Sequence, residues 1–479
     1  MDEIKKLEPA KVFEYFSEIS SIPRGSGNMN GISAYCENFA ISHGLKYVRD
    51  AANNIVIFKE GTSGYENSDP VILQGHLDMV CQKDEGVTID FERDGLDLYV
   101  DGDYLKARGT TLGADNGIAV AMTLAILDSD SIVHPPIEAV FTTDEEIGMI
   151  GAGKLDMSVL KGRRMINLDA EDPTTLTVSC AGGSDFLIKI PAERCTTHGT
   201  SITVTLRGLT GGHSGAEIHR GLVNASVLAG RVLSYLDDIV EYELISVNGG
   251  EKGNAIPVLS IIEIVVKNTA CVRRLCEYLE IIKSEISDRE PQFNYAVTVG
   301  REGDYRILTS EIRDAVRDTL VCAPNGVIEM SASIEGLVET SLNLGILKTD
   351  DDAVSILYTL RSNKQSALSY LEKRMTVFAN TLPGTIVTSG HYPPWEYCGH
   401  SSLQPLYVET YREMFGVEPS IVAIHAGLEC GIFASNLSGL DCIAIGTLNE
   451  DIHTPKERLS ISSAKSTFEL LLAMLKKMK

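Results

Sequence analysis

The period of the apolar residues changes repeatedly along the chain, and each change predicts an element. In "AKVFEYFSEIS" and "MNGISAYCENFAISHG" apolar positions recur every three or four residues, the helical period, and "SIPRGSGN" breaks the two runs apart. "NIVIFKE" and "PVILQGHLDMV" are short and nearly continuous, as strands buried on both faces are. A helix is predicted from Asp115 through "NGIAVAMTLAILDS", then a strand at "IEAVFTTD" and a helix near "GMIGAGKLDM". Strands alternating with helices predict a mostly parallel or mixed sheet covered on both faces.

After "TLTVSCAGGSDF" the grammar changes. "SITVTLRGL", "LISVNGG", "IIEIVVK" and "YAVTVG" read as strands, and "GLVNASVLAGRVLSYLDDI" and "CVRRLCEYLEIIKSEI" as helices. The strand and helix pattern resumes near "TIVTSGHYPPW" and runs through "LQPLYVETYREMFG", "IVAIHAGLECGIF" and "CIAIGTL" to a C-terminal helix. At 479 residues the chain exceeds what one core organises. The expected architecture is an α/β domain in two parts, 1–185 and 386–479, interrupted by an α+β insertion at 186–385.

Polar residues stand where the buried runs end. "VILQGHLDMV", residues 71–80, carries His76 and Asp78, which share one face if the chain stays extended. Open α/β sheets place their ligands at such carboxyl ends. Alone, the pair also fits a hydrogen-bonded structural histidine. Asp115, in "TLGADNGIAVA", stands at a helix start, where an N-cap aspartate is ordinary. Yet "FTTDEEIGMIGA" puts Asp144, Glu145 and Glu146 directly after an apolar strand, "MINLDAED" puts Asp169 after another, and "CIAIGTLNEDIHTPKERLSI" offers His453 beyond a third. Adjacent acids at a strand end repel one another unless a cation or a proton intervenes.

Two histidines and three carboxylates on one rim suit a pair of borderline divalent ions, zinc first, with cobalt or manganese in the same geometry. One carboxylate would be shared between the ions. The chemistry such ions supply is water activation and stabilisation of charge on a substrate oxygen, that is, hydrolysis. Glu145, beside Glu146 but unable to reach the same ion with equal geometry, is left to take a proton and pass it to a leaving amine. Asp78 can accept the second N–H of His76 and fix its tautomer.

Charge and cysteine usage narrow the partners. Against 42 Lys and Arg stand 66 Asp and Glu, and a net charge of -24 repels phosphate backbones and acidic membrane surfaces, so neither nucleic acid nor a membrane is expected. Ten cysteines lie scattered with no CxxC pair, which excludes a zinc ribbon or thioredoxin motif and fits reduced thiols. No apolar run reaches the length of a membrane span, and "MDEIKKLEPAKVFEYFSEIS" lacks the apolar core of a secretory signal. A cytoplasmic location is expected.

"GHLDMV", "GADNGIAVA", "TTDEEIGMIGA", "NLDAED" and "IHTPKER", in that order, resemble the di-zinc aminoacylase and carboxypeptidase superfamily. "SIPRGSGN", "SCAGGSDF", "GLTGGHSGAEIHRGLVNA", "NGGEKGNAIP", "GLVETSLNLGIL" and "HAGLECGIF" are similar to its cytosol non-specific dipeptidase branch, the aminoacyl-histidine or Xaa-His dipeptidases. The resemblance implies a discontinuous di-zinc exopeptidase domain whose insertion is a lid that also forms a homodimer. It implies two zinc ions per subunit, His76 and Asp169 on one, Glu146 and His453 on the other, and Asp115 bridging. Glu145 would be the general base and Asp78 the residue orienting His76, with a cis peptide at Asp115-Asn116.

By the same resemblance His213, in "GGHSG", polarises the scissile carbonyl, in this superfamily often from the partner subunit. Asn254 and Arg361 would receive the free carboxylate of a dipeptide; a guanidinium fork suits that group. Composition alone makes His213 a loop histidine and Arg361 half of a surface ion pair. Glu429 and His391 receive no role. The readings that stand beside a dipeptidase are a tripeptide aminopeptidase or N-acyl amino acid hydrolase on the same scaffold, and a non-catalytic peptide- or metal-binding protein. The last would be favoured by loss of Glu145 or a ligand, and all six residues are present.

Overall fold

The computed structural model describes residues 3–479, and in it the continuous apolar runs form neighbouring parallel strands. Val71–His76, buried at every position, pairs in parallel with Ile137–Thr142 on one side and Arg164–Ala170 on the other. His76 stands opposite Thr142, and Gln74 opposite both Val140 and Asn167. Asp441–Gly446 adds a further parallel strand beyond Arg164–Ala170. Four strands therefore end at one edge of the sheet. Later strands flank Val71–His76 on both sides, so the connections diverge at its carboxyl end, the kind of position where open α/β sheets bind ligands.

Among the described residues this mixed sheet has eight strands, ordered Lys46–Arg49, Ile55–Lys59, Ile137–Thr142, Val71–His76, Arg164–Ala170, Asp441–Gly446, Thr175–Cys180 and Ser420–Ile424. The helix Ala114–Asp128 is apolar on every side and buried from Asn116 through Leu127. It packs against the helix Ala10–Ser20 and the strand Val71–His76. Each fully buried Ile, Leu, Val or Met side chain contributes about 1.5–3 kcal/mol. Gly75 permits the close approach of helix to strand, since a Cβ there would lie 2.4 Å from Asn116 Oδ1 and 2.9 Å from Ala119 Cβ.

The chain divides into two compact units, residues 1–180 with 397–423 and 428–479, and residues 181–396 with 424–427. The expected cuts at 185/186 and 385/386 fall inside a sheet. Gly182–Pro191 pairs antiparallel with both Ala353–Ser362 and Thr385–Tyr392, so all three strands belong to the second unit. That unit carries a nine-stranded sheet among the described residues. Helices Ala225–Ile239, Cys271–Ile286, Ser310–Cys322 and Gln365–Ala379 contribute to its core, which includes Leu228, Val232, Leu279, Val316 and Leu371. The strand Val338–Thr349 was not predicted, because buried Ser341 and Asn343 interrupt its apolar pattern. Among the described residues no helix is long and apolar enough to cross a membrane.

Replacing Gly75 with Ala forces the helix start away from the strand end, and a loss of about 1–3 kcal/mol is expected. Urea unfolding measures it as a lowered midpoint at unchanged slope. An unchanged midpoint would show that helix and strand can separate there without cost.

Candidate metal centre

Five side chains meet where the parallel strands end. His76 Nε2 lies 3.1 Å from Asp115 Oδ1 and 3.6 Å from Asp169 Oδ1. His453 Nε2 lies 3.1 Å from Asp115 Oδ2 and 2.9 Å from Glu146 Oε2. Asp115 thus turns one oxygen to each histidine. Donor atoms of His76, Asp115 and Glu146 all fall within 4.8 Å of one another. His76 is buried, whereas the His453 side chain is 45% exposed.

The local backbone explains the convergence. Asp115 follows Gly113, whose φ of 66° turns the chain into the helix, and the Asp115-Asn116 peptide is cis. Asn116 Oδ1 accepts the His76 N–H at 3.2 Å and its Nδ2 donates to the Leu168 carbonyl at 2.9 Å, tying the helix start to two strand ends. Asp144, Met149, Asp451 and His453 have φ values of 53°, 56°, 55° and 60°. Non-glycine residues seldom adopt that left-handed region, and such outliers collect at functional sites.

Further residues fix this arrangement. His76 Nδ1 faces the Asp78 backbone carbonyl at 3.1 Å and its carboxylate at 3.4 Å, which leaves Nε2 toward Asp115. The Asp78 carboxylate accepts the N–H groups of Glu145 at 3.0 Å and Glu146 at 3.2 Å and the Ser26 hydroxyl at 2.8 Å, pinning the acidic loop. Buried Glu457 accepts backbone N–H groups from Leu112, Gly113, Ala114 and Asp115 at 2.7–3.3 Å. Buried Arg24 donates to the carbonyls of Leu77, Asp78 and Gly113. Sequence reasoning gave neither Glu457 nor Arg24 a role, although "PKER" and "SIPRGSGN" contain them; the backbone groups they serve are distant in sequence.

Glu429, without a role in the sequence, is buried at the first position of the helix Glu429–Asn436. Its Oε2 accepts from Thr142 Oγ1 at 2.6 Å and from Gln74 Nε2, and Gln74 Oε1 accepts from Asn167 Nδ2 at 2.6 Å. A polar ladder therefore crosses three parallel strands. His391 is exposed, with Nδ1 3.2 Å from Glu372.

Electrostatics follow from crowding. Burial pushes Glu145 up to about 8, with Glu429, Glu146 and Asp115 adding to the shift and His76 opposing it. Burial, reinforced by Asp115, also holds the Asp169 carboxyl well above its usual range. Hydrogen bonds to Asp115 and Glu146 raise His453 to about 10. Burial opposes protonation of His76, but Asp169, Asp115 and Asp78 outweigh it and raise the ring. So many acids around two imidazoles form a site for cations, and a donor set of imidazole nitrogen and carboxylate oxygen fits borderline divalent metals.

His213, Asn254 and Arg361 lie in the second unit. His213 pairs with Ala255 in a two-stranded ribbon, and the Ser214 N–H donates to the Asn254 carbonyl at 2.8 Å. His213 Nδ1 accepts the N–H groups of Gly215 at 3.1 Å and Ala216 at 3.0 Å, so in the neutral ring Nε2 carries the proton. Burial and the Arg361 charge hold its pKa down. Arg361 is buried and, among the described residues, has no carboxylate partner. Its Nη1 donates to the Tyr392 hydroxyl at 2.8 Å, while Nε is buried without a hydrogen bond. A buried guanidinium of that kind is suited to an anion arriving from outside.

The chain is 37% identical over 482 residues to the cytosol non-specific dipeptidase of Escherichia coli (strain K12), covering 99% of each. The crystal structure of aminoacylhistidine dipeptidase from Vibrio alginolyticus superposes with a TM-score of 0.89 at 34% identity, covering 100% of this chain and 99% of that one. A tripeptidase from Staphylococcus aureus subsp. aureus Mu50 shares the fold, with a TM-score of 0.56 and 18% identity over 98% of this chain and 99% of its own. Residues 72–477 match peptidase family M20/M25/M40, and the chain belongs to that family of metallopeptidases.

Proposed function

We propose that this protein is a dipeptidase that uses two divalent metal ions, zinc first, to hydrolyse unblocked dipeptides, aminoacyl-histidines among them. The observation that carries the reading is Asp115, with one oxygen toward His76 and the other toward His453. His76 and Asp169 would hold one ion, Glu146 and His453 the other, and Asp115 both; cobalt or manganese suit the same donors. When bound, the ions supply Lewis acidity that favours deprotonation of water and offsets negative charge on a substrate oxygen.

The chain's own residues do the rest. Glu145, held beside Glu146 by the Asp78 carboxylate, takes the proton of the attacking water and delivers it to the leaving amine. His213 donates its Nε2–H to the scissile carbonyl oxygen as a neutral ring, and a donor aimed at developing charge needs no proton of its own to be lost. Arg361, with Asn254, receives the terminal carboxylate through its planar fork. Recognition of that group favours cleavage of peptides with a free carboxyl terminus. A cytoplasmic location and a homodimer formed through the second unit belong to the same reading.

Chelator-stripped protein assayed against free dipeptides, a tripeptide and an N-acetylated amino acid should regain activity with added zinc, cobalt or manganese, and on dipeptides alone. Cleavage of the longer or blocked substrates would instead make it a tripeptidase or deacylase, and silence with every metal would make it a binding protein. The Glu145→Gln variant should lose about 10²- to 10⁴-fold in kcat while elemental analysis still finds two metals per chain; ordinary turnover would remove Glu145 as the base. Arg361→Gln should raise KM for a free dipeptide about 10- to 100-fold, the cost of one charged hydrogen-bonding partner. An unchanged KM would place the carboxylate elsewhere.

A further inference from the structure

Among the described residues Arg361 forms no ion pair, and polar side chains stand near it. On the paired strands Val338–Thr349 and Ala353–Ser362, Ser341 stands opposite Arg361, and Asn343 opposite Thr359. Directly opposed residues share one face of a sheet, and a buried hydroxyl there needs a partner. For Ser341 it is His425, with Oγ 2.7 Å from Nε2. His425 belongs to the short segment 424–427 that joins the second unit.

The hydrogen bonds fix one tautomer of that ring. Asn363 Nδ2 donates to the Ile424 carbonyl at 3.1 Å, so its Oδ1 is the acceptor that faces His425 Nδ1 at 3.1 Å. Nδ1 therefore carries the proton, Nε2 accepts, and the Ser341 hydroxyl donates. With both nitrogens committed the imidazole is neutral; burial, together with the charge of Arg361, holds its pKa at about 3. Gly215 marks where the groups close together. A Cβ there would lie 2.4 Å from the His425 carbonyl oxygen, 3.0 Å from His213 Cε1 and 3.1 Å from Arg361 Nε.

An acidic neighbour would orient the guanidinium but also neutralise it. A neutral histidine clamped by Ser341 and Asn363 leaves the guanidinium its charge for a ligand, while the Tyr392 hydroxyl accepts from Nη1. We propose that His425, fixed by Ser341 and Asn363, is a positioning residue that holds Arg361 ready for a peptide carboxylate. The inference rests on the reading of Arg361 as the receiver of that carboxylate.

The test is steady-state kinetics of the metal-loaded enzyme on a free dipeptide and on the same dipeptide as its C-terminal amide, which lacks the anion. Wild type should prefer the free dipeptide. His425→Leu should raise its KM about tenfold and Ser341→Ala about threefold, with kcat within twofold and cleavage of the amide unchanged. His425→Gln, whose side-chain amide can still accept from Ser341 and donate to Asn363, should restore most of the lost affinity. Thermal unfolding of each variant checks that it is folded, and Ser341→Ala stands as the milder change if His425→Leu is not. Equal losses on both substrates, or no change in KM, would overturn the positioning role alone. Absence of any wild-type preference for the free carboxylate would overturn it together with the reading of Arg361.

Discussion

Carboxylates in mutual repulsion are the constraint to which the first unit answers. Asp115, Glu145, Asp169 and Glu429 are all brought toward the carboxyl ends of neighbouring parallel strands, where burial strips away the water that would otherwise screen them. The parallel register makes the crowding unavoidable, since strands that run together end together. The fold holds the acids apart from one another by engaging their surroundings. Asp78 is occupied by two backbone N–H groups and a hydroxyl, Glu457 by four backbone N–H groups, and Glu429 by Gln74 and Thr142. Arg24 adds a guanidinium close by, but spends its hydrogen bonds on carbonyls, so its charge is felt without tying up a carboxylate.

The second unit solves the opposite problem. There one buried guanidinium, that of Arg361, has the Tyr392 hydroxyl as a partner and no ion pair among the described residues. Its charge is preserved in this way, whereas in the first unit an excess of one sign is what favours cations. Both arrangements depend on backbone: the acidic loop is held through the N–H groups of Glu145 and Glu146, and His213 through those of Gly215 and Ala216.

The strand ends were legible because burial alternates with polarity over a few residues. An apolar run that stops at His76, or at Asp144 through Glu146, announces a change of environment locally, and the structure brings His76 and Glu146 together with Asp115, Asp169 and His453. Glu457, Arg24 and Glu429 were not legible, since nothing in their neighbours says that a charged residue will be buried against backbone or side chains far along the chain. The strand carrying Ser341 and Asn343 failed for a related reason: its polar residues are satisfied by His425, Asn224 and the carbonyls of Gly253 and Ala255, none of which is local. The unit boundaries slipped because strand pairing, and not the change in pattern, decides which sheet a segment joins.

The bond from the Leu112 N–H to Glu457 spans 345 residues, and this span bears on how the protein is made. On a ribosome adding about 5–20 residues each second, the loop that carries Asp115 waits roughly 17–70 s for the carboxylate that caps it. During that interval the whole second unit is synthesised, and Glu429 and His453 are added only toward its end. The emerging half-cluster has Asp78, Asp115 and Asp169 but neither the clamp nor the second imidazole. Synthesis of the segment that carries His453 and Glu457 is therefore also the event that completes the acidic centre.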